Sequence, residues 1–228
     1  QVIYNGVDLK RFSPKNTELY RDKARQELST GKDTKLILFV GSGFERKGLK
    51  TLLRAISLIS GSSIKGNKNN PPSPPFSKGG MGGFEDLKLI VIGKGNIKKF
   101  QSIAKKHGIS DRVQFLGPQK EIERFYAAAD IFALPTMYDP FSNATLEAMA
   151  SGLPVITTRN NGVSELIQDG EEGFAIENPL DYNMLSEKIK SALAGHEAMG
   201  LKARAKAEKF PIEKAAEEFI KITEGKAH

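Results

Sequence analysis

Six short stretches of this chain are apolar almost throughout, and they constrain its fold more than any other feature of the sequence. They lie at residues 35–41, 87–93, 113–116, 131–134, 154–157 and 173–176. Segments with apolar residues at helical spacing follow the first five, at 47–60, 97–107, 121–129, 142–151 and 163–168. Wholly apolar strands that are each followed by a helix indicate a parallel sheet covered on both faces. The sequence therefore predicts an α/β domain with a doubly wound parallel sheet, followed by two or three further helices over residues 181–223.

Composition narrows the function classes. The chain has 228 residues, 39% of them hydrophobic, which is enough for one large domain with a core. It has no cysteine, so structural disulfides and thiolate metal sites are excluded, and its three scattered histidines predict no metal site. The net charge of +7 suits a phosphate-bearing ligand, whereas no nucleic-acid motif is present and no nucleic acid is expected as a partner. No apolar run approaches the roughly 18 residues of a membrane-spanning helix.

Two segments stand outside the repeating pattern. Between residues 61 and 86, 17 of 26 residues are Gly, Pro, Ser or Asn, where about 2–6 residues would suffice to join a helix to a strand. We expect a flexible surface insertion there. The chain also begins in an apolar, strand-like run at residues 1–4 without an initiator Met, which we interpret as a fragment whose upstream half is missing.

The loop 41–48, GSGFERKG, lies between a predicted strand and a predicted helix. Its glycines, Gly41 and Gly43, would let the backbone approach a ligand, and the helix start offers unpaired amides. Arg46 can hold phosphate oxygens in a bidentate way, and Lys47 can act as a point charge. The loop matches neither the Walker A nor the GxGxxG pattern. From spacing alone, a plain turn with solvated charges remains an equal alternative.

Two further loops follow strands that we expect to end at the same edge of the sheet, where ligands of doubly wound folds bind. The first is 93–96, GKGN, with Gly93, and taken alone it is more simply a pair of loop glycines. The second is 115–119, FLGPQ, where the backbone at Gly117 and Pro118 could frame a flat base. Each of these signals is weak by itself.

The segment 138–154, YDPFSNATLEAMASGLP, is the most informative about function. Ser142 is a good N-cap for a helix, and the amides near it would be free to bind an anion with the help of the helix dipole. Asp139 would lie beside such a ligand, and Glu147 could reach a vicinal diol such as a ribose. The alternative is that Asp139 is a turn residue and Glu147 a solvated helix residue.

Together these motifs resemble the nucleotide-sugar-binding half of the retaining glycosyltransferases of family 4, whose GT-B fold has two Rossmann-like domains facing a cleft. The resemblance runs through YNGVDLKRFSP at 4–14, FVG at 39–41, RKG at 46–48, AAAD at 127–130 and LEAMASGLPVI at 146–156. The loop 41–48 is most similar to that of the lipopolysaccharide core glucosyltransferases that add glucose to heptose. The resemblance covers nearly the whole chain except the insertion.

The resemblance implies roles for individual positions. Arg46 and Lys47 would hold the diphosphate and stabilise charge on the leaving nucleotide, with Arg11 nearby. Glu147 would bind the ribose. Asp139, where the family usually has a glutamate, would contact the sugar with a side chain one methylene shorter. The catalytic residues implied are Arg46, Lys47 and Asp139. The donor-binding residues implied are Arg11, Gly41, Ser42, Gly43, Gly93, Gly117, Pro118, Pro140, Phe141, Ser142, Asn143, Ala144 and Glu147. Ser42 stands where many members of the family have an arginine.

The resemblance further implies a hexosyltransferase that needs no metal or cofactor and takes a nucleotide diphosphate sugar, with UDP and glucose favoured, to a glycan or lipopolysaccharide-type acceptor. Residues 1–14 would end the linker from a missing acceptor-binding domain, 15–223 would form the donor domain and 224–228 a tail. The fragment alone would bind donor but turn over poorly or not at all. We expect a cytoplasmic protein, in its full length peripheral at the inner face of the membrane. The alternatives are another GT-B enzyme, such as a UDP-N-acetylglucosamine epimerase, and a non-catalytic nucleotide-binding module.

Overall fold

A single six-stranded sheet organises the chain, which a computed structural model describes over residues 3–61 and 86–225. All strand pairings are parallel, and the order is β3-β2-β1-β4-β5-β6. The predicted doubly wound parallel sheet is therefore confirmed. The strands are β1 (Lys35–Val40), β2 (Leu87–Ile92), β3 (Val113–Gly117), β4 (Ile131–Ala133), β5 (Val155–Thr158) and β6 (Gly173–Ile176).

Helices cover both faces of this sheet. In β1 the consecutive residues Leu36 to Phe39 are fully buried, and successive strand side chains point to opposite faces. Within the described ranges, α1 packs on α4, α2 on α3 and α6, and α5 on α7. The helices are α1 (Asn16–Glu27), α2 (Leu49–Ile59), α3 (Ile97–Lys106), α4 (Glu123–Ala128), α5 (Asn143–Ala150), α6 (Tyr182–Ala194), α7 (His196–Ala207) and α8 (Ile212–Thr223).

The structure corrects the predicted elements in four places. Helix α1 was not predicted, and the segment expected to be a helix at 163–168 is a 3-10 helix, Gly162–Leu166. The helix expected from residue 47 begins at Leu49, because Gly48 before it has a φ of 75°, in the left-handed region. Ile3 and Tyr4 lie in no strand, so the expected strand-like start is wrong for them. Most of the predicted insertion, residues 62–85, lies outside the described residues.

A buried carboxylate fastens α1 to the sheet. Asp130, directly before β4, pairs with Arg21 at 2.5 Å and with Arg25 at 3.1 Å, and it accepts a hydrogen bond from the amide of Leu36 at 2.7 Å. Arg25 also donates to the carbonyl of Thr34 at 2.6 Å. Burial lowers the pKa of the Arg25 guanidinium, an effect that the Asp130 charge opposes. The aspartate of the AAAD motif is thus a structural anchor.

The strand order places the candidate site. Because all strands are parallel, their carboxyl ends share one edge, and the loops after β1 and β4 meet where the strand order reverses. In open α/β sheets this crevice is where ligands bind. No helix in the described part of the chain is long and apolar enough to cross a membrane.

Candidate functional site

The loops after β1, β2 and β3 form a continuous floor of backbone. The amide of Gly43 donates to the Lys94 carbonyl at 2.9 Å, and the amide of Gly93 donates to the Gly117 carbonyl at 3.1 Å. A Cβ on Gly93 would lie 2.0 Å from the Gly41 oxygen, so a side chain there would push the loops apart. Gly43 and Gly117 also have positive φ, and a Cβ on either would meet no atom within 4 Å. The structure thus brings together Gly41, Ser42, Gly43, Gly93 and Gly117, and leaves open space above two of them.

A buried ion pair joins the loop after β1 to the loop after β4. The Lys47 ammonium contacts a carboxylate oxygen of Asp139, and both side chains are largely buried. Arg46 is exposed, and its guanidinium donates to the carbonyl of Tyr138 at 2.7 Å. The backbone completes the link, because the amide of Met137 donates to the Arg46 carbonyl at 2.7 Å. Both cations and the aspartate predicted for the site are therefore in one cluster.

The start of α5 has the predicted cap but not all of the predicted free amides. The Ser142 hydroxyl accepts from the Thr145 amide at 3.3 Å, which confirms Ser142 as the N-cap. The Ser142 amide itself is not free, because it donates to Oδ1 of Asn161 at 3.1 Å. Within the described part of the chain, no protein group accepts from the amides of Phe141 and Asn143. Of the three amides expected to bind an anion, those of Phe141 and Asn143 are therefore the two that have no described protein acceptor.

Glu147 lies half-buried against a fully buried tyrosine. The Tyr126 hydroxyl donates to Oε2 of Glu147 at 2.9 Å, which leaves the other carboxylate oxygen for a ligand. Burial raises the pKa of Glu147, and the hydrogen bond from Tyr126 and the charge of Arg11 oppose that rise. Burial, together with the Glu147 charge, raises the pKa of Tyr126. Glu147 is therefore neither a solvated helix residue nor unpartnered.

Arg11 reaches the same side of the site but is bound to protein groups. Its guanidinium pairs with Glu123 at 2.9 Å and donates to the Lys120 carbonyl at 3.0 Å. Its positive charge opposes the rise in the pKa of Glu147 that burial causes. A phosphate would have to compete with Glu123 for this side chain.

The segment before Arg11 covers the α5 start, a contact that no pattern in the sequence predicted. The Asn5 side chain donates to Oδ1 of Asn143 at 2.9 Å. The Tyr4 hydroxyl donates to Glu165 at 2.6 Å, and the Tyr4 ring lies 5.8 Å from the Phe141 ring. The bond to Glu165 raises the pKa of Tyr4. This N-terminal segment therefore belongs to the wall of the site.

Sequence reasoning missed two residues that shape the site, Tyr126 and Asn161. Tyr126 lies in a predicted helix, where a buried tyrosine is ordinary, and nothing in the sequence pointed to its contact with Glu147. Asn161 carried a usable signal, since an Asn-Asn-Gly turn shortly after a strand lies at the edge where the ligand loops meet.

Comparison with known proteins identifies relatives. The sequence model described as glycosyl transferases group 1 matches residues 20–210. The chain is 30% identical over 228 residues to the D-inositol 3-phosphate glycosyltransferase of Corynebacterium jeikeium, covering 98% of this chain and 51% of the relative. It is 28% identical over 191 residues to the lipopolysaccharide glucosyltransferase WaaG of Escherichia coli K12, covering 84% of this chain and 45% of WaaG. The chain thus spans about half the length of these curated relatives.

Solved structures share the fold. A crystal structure of WaaG, a glycosyltransferase involved in lipopolysaccharide biosynthesis, superposes with a TM-score of 0.79 at 25% identity, covering 97% of this chain and 55% of that one. The Anabaena protein HepE, solved in complex with UDP and glucose, superposes with a TM-score of 0.77 at 22% identity, covering 98% and 56%.

Proposed function

This chain belongs to the glycosyl transferases of group 1, and from that premise we propose that it is the donor-binding domain of a retaining hexosyltransferase of family 4. The proposed donor is UDP-glucose, and the proposed acceptor is a glycan or a lipopolysaccharide-type molecule. Residues 15–223 would form the donor domain, and the acceptor would bind to a further domain of the full-length enzyme. The family match favours this proposal over the epimerase alternative.

One observation carries the proposal. The Lys47–Asp139 pair and the Arg46–Tyr138 hydrogen bond hold two cations against the loop that leads into α5. That loop presents amides with no described protein partner, and Glu147 follows in the helix. Cations and amides suit a diphosphate, and a carboxylate suits a ribose diol.

The proposed chemistry is electrostatic. As the bond between sugar and diphosphate breaks, negative charge grows on the leaving phosphate, and Arg46 and Lys47 would stabilise it. We propose that these cations meet that need without a metal or cofactor. Asp139 would contact the sugar from beside Lys47, and its short side chain makes it the group that sets the fit of the hexose. Glu147 would accept hydrogen bonds from the ribose through the oxygen that Tyr126 leaves free.

Two relatives support UDP and glucose as the parts of the donor. The HepE crystal structure is a complex with UDP and glucose, and WaaG is named a glucosyltransferase. A cytoplasmic location, with the full-length enzyme peripheral at the membrane, is part of the same proposal.

The test is a calorimetric and thermal-shift panel of UDP, GDP, ADP and their sugars on this chain. At a hundredfold excess over the dissociation constant, a ligand specific for the native state adds about 2.7 kcal/mol of stability. For a domain of this size that is about 5–11 °C in Tm. We expect UDP and UDP-glucose to give this shift and the other nucleotides to give less. No shift with any of them would overturn the proposal.

A matched pair of variants locates the binding. Arg46→Gln removes an exposed cation from the site, and Lys190→Gln removes an exposed cation from α6. A lost hydrogen bond to a charged group is worth about 1.5–3 kcal/mol, so Arg46→Gln should weaken UDP about 10-fold or more. Equal affinities of the two variants would place the nucleotide elsewhere.

A further inference from the structure

Asn161 is a fully buried amide side chain at the turn after β5. Its Oδ1 accepts from the amide of Ser142 at 3.1 Å and from that of Val163 at 3.3 Å. Its Nδ2 donates to the hydroxyl of Thr157 at 2.9 Å and to that of Thr145 at 3.3 Å. Both donors and the acceptor oxygen of this amide are thus in use. Two of its four partners, Ser142 and Thr145, belong to the start of α5.

The backbone beside Asn161 binds the same loop. The amide of Asp139 donates to the Asn160 carbonyl at 3.0 Å, and the amide of Gly162 donates to the Asp139 carbonyl at 3.0 Å. A Cβ on Gly162 would lie 2.0 Å from the Pro140 oxygen, so the two chain segments lie as close as backbone allows. The turn 160–162 therefore supports the segment 139–145, which comprises the loop before α5 and the first residues of that helix.

We propose that Asn161 is a positioning residue that decides which backbone amides of the α5 start face the donor's phosphates. By accepting the Ser142 hydrogen, it removes that amide from the ligand's reach and orients its neighbours, so that the amides of Phe141 and Asn143 are the ones presented. This inference rests on the proposed function and adds a residue to it.

No smaller apolar side chain can take this place. In Asn161→Ala the Ser142 amide and the Thr145 hydroxyl lose a buried partner, and the Ser142 hydrogen becomes available to a ligand or to water. In Asn161→Asp a carboxylate oxygen still accepts from Ser142, so the loop keeps its bond although the two donors are lost. The two variants therefore separate the hydrogen bond to Ser142 from the shape of the side chain.

The experiment follows individual backbone amides by NMR while UDP is added to the wild-type chain, Asn161→Ala, Asn161→Asp and the control Asn178→Ala. Asn178 is exposed, and its side chain accepts from the amide of Leu180 at 2.9 Å. Hydrogen exchange of the Ser142 amide without ligand is measured alongside, and calorimetry gives the UDP affinities.

In the wild type we expect UDP to shift the amide signals of Phe141 and Asn143 and to leave that of Ser142 unshifted, and we expect the Ser142 amide to exchange slowly without ligand. In Asn161→Ala the Ser142 amide should exchange faster without ligand, and its signal should join those that UDP shifts. The affinity of this variant for UDP should fall about 10-fold. In Asn161→Asp the slow exchange of Ser142 should be restored, and the control should match the wild type throughout.

Four outcomes decide against the inference. If UDP shifts Ser142 in the wild type, or if Asn161→Ala keeps the affinity and the amide pattern, Asn161 only fills the core and the proposed function stands. Should Asn161→Ala fail to fold, Asn161→Asp decides, because fast exchange of Ser142 in that variant also refutes the positioning role. If the wild type binds no UDP, the proposed function falls and this inference falls with it.

Discussion

Asp139→Asn breaks the ion pair on which the candidate site is built. The variant keeps the size of the side chain but leaves the Lys47 ammonium buried without an opposite charge. In the present structure the two side chains retain only 11% and 9% of their surface. The replacement therefore tests whether the pair stabilises the empty site and whether it competes with a nucleotide.

The cost follows from the burial. Removing one partner of a buried ion pair destabilises a protein by about 3–5 kcal/mol. Because about a tenth of each side chain still meets solvent, and the new amide oxygen can accept from Lys47, we expect the lower end, about 3 kcal/mol. At about 2–4 °C per kcal/mol in a domain of this size, the Tm should fall by about 6–12 °C.

The same variant should respond more strongly to UDP than the wild type does. In the wild type a diphosphate must share Lys47 with Asp139 and approach a carboxylate of its own sign. In Asp139→Asn that repulsion is absent and the phosphate supplies the missing counter-charge to Lys47. The rise in Tm on adding UDP should therefore be larger in the variant, although the variant is less stable without ligand.

Thermal shift with and without UDP, supported by urea unfolding, measures both effects. The double variant Lys47→Met/Asp139→Asn removes both charges, so it should regain most of the lost stability and lose the enhanced response to UDP expected of Asp139→Asn. A stability of Asp139→Asn within about 0.5 kcal/mol of the wild type would refute the energetic argument. A smaller UDP response than the wild type's would show that Asp139 assists the nucleotide instead of competing with it.

Single contacts elsewhere in the molecule support three more predictions. Glu147→Gln should raise the free energy of unfolding at pH 7 but not at pH 4, and urea unfolding at the two pH values checks this. Burial raises the pKa of Glu147, so ionisation of this carboxyl penalises the folded state only as pH rises above the ordinary pKa of 4.5, whereas the amide of the variant carries no charge and can still accept from Tyr126. Gly43→Ala and Gly48→Ala both place a side chain at positive φ, which costs about 1–2 kcal/mol of stability each. Only at Gly48 would the Cβ meet a backbone oxygen, at 1.8 Å, so Gly48→Ala should be clearly the more destabilising in thermal unfolding, and equal losses of stability would contradict the clash. Asp130→Ala should cost about 3–5 kcal/mol in urea unfolding while the folded protein keeps its UDP affinity, and a weakened affinity would show that this carboxylate is more than an anchor.

The sequence predicted most of the fold because the signal for it is local. A run such as 35–41, apolar at every position after its first lysine, indicates a strand buried on both faces, and helical spacing after it gives the connection. Helix α1 was not predicted because its buried residues are only Ala24 and Arg25, so the sequence shows no apolar stripe at helical spacing there. Its attachment comes from Arg21 and Arg25 meeting Asp130, more than a hundred positions along the chain.

The sequence alone determined the features that depend on residues within a few positions of each other. These are the glycines of 41–48, the N-cap at Ser142 and the position of Glu147 in the helix. Which groups face each other was decided only by the tertiary structure. Lys47 meets Asp139 across 92 positions, and Asn161 takes the Ser142 amide from 19 positions away. The physical reason is the strand order. Because β1 lies beside β4 and β4 beside β5, their loops converge at one edge, and no local pattern encodes that neighbourhood.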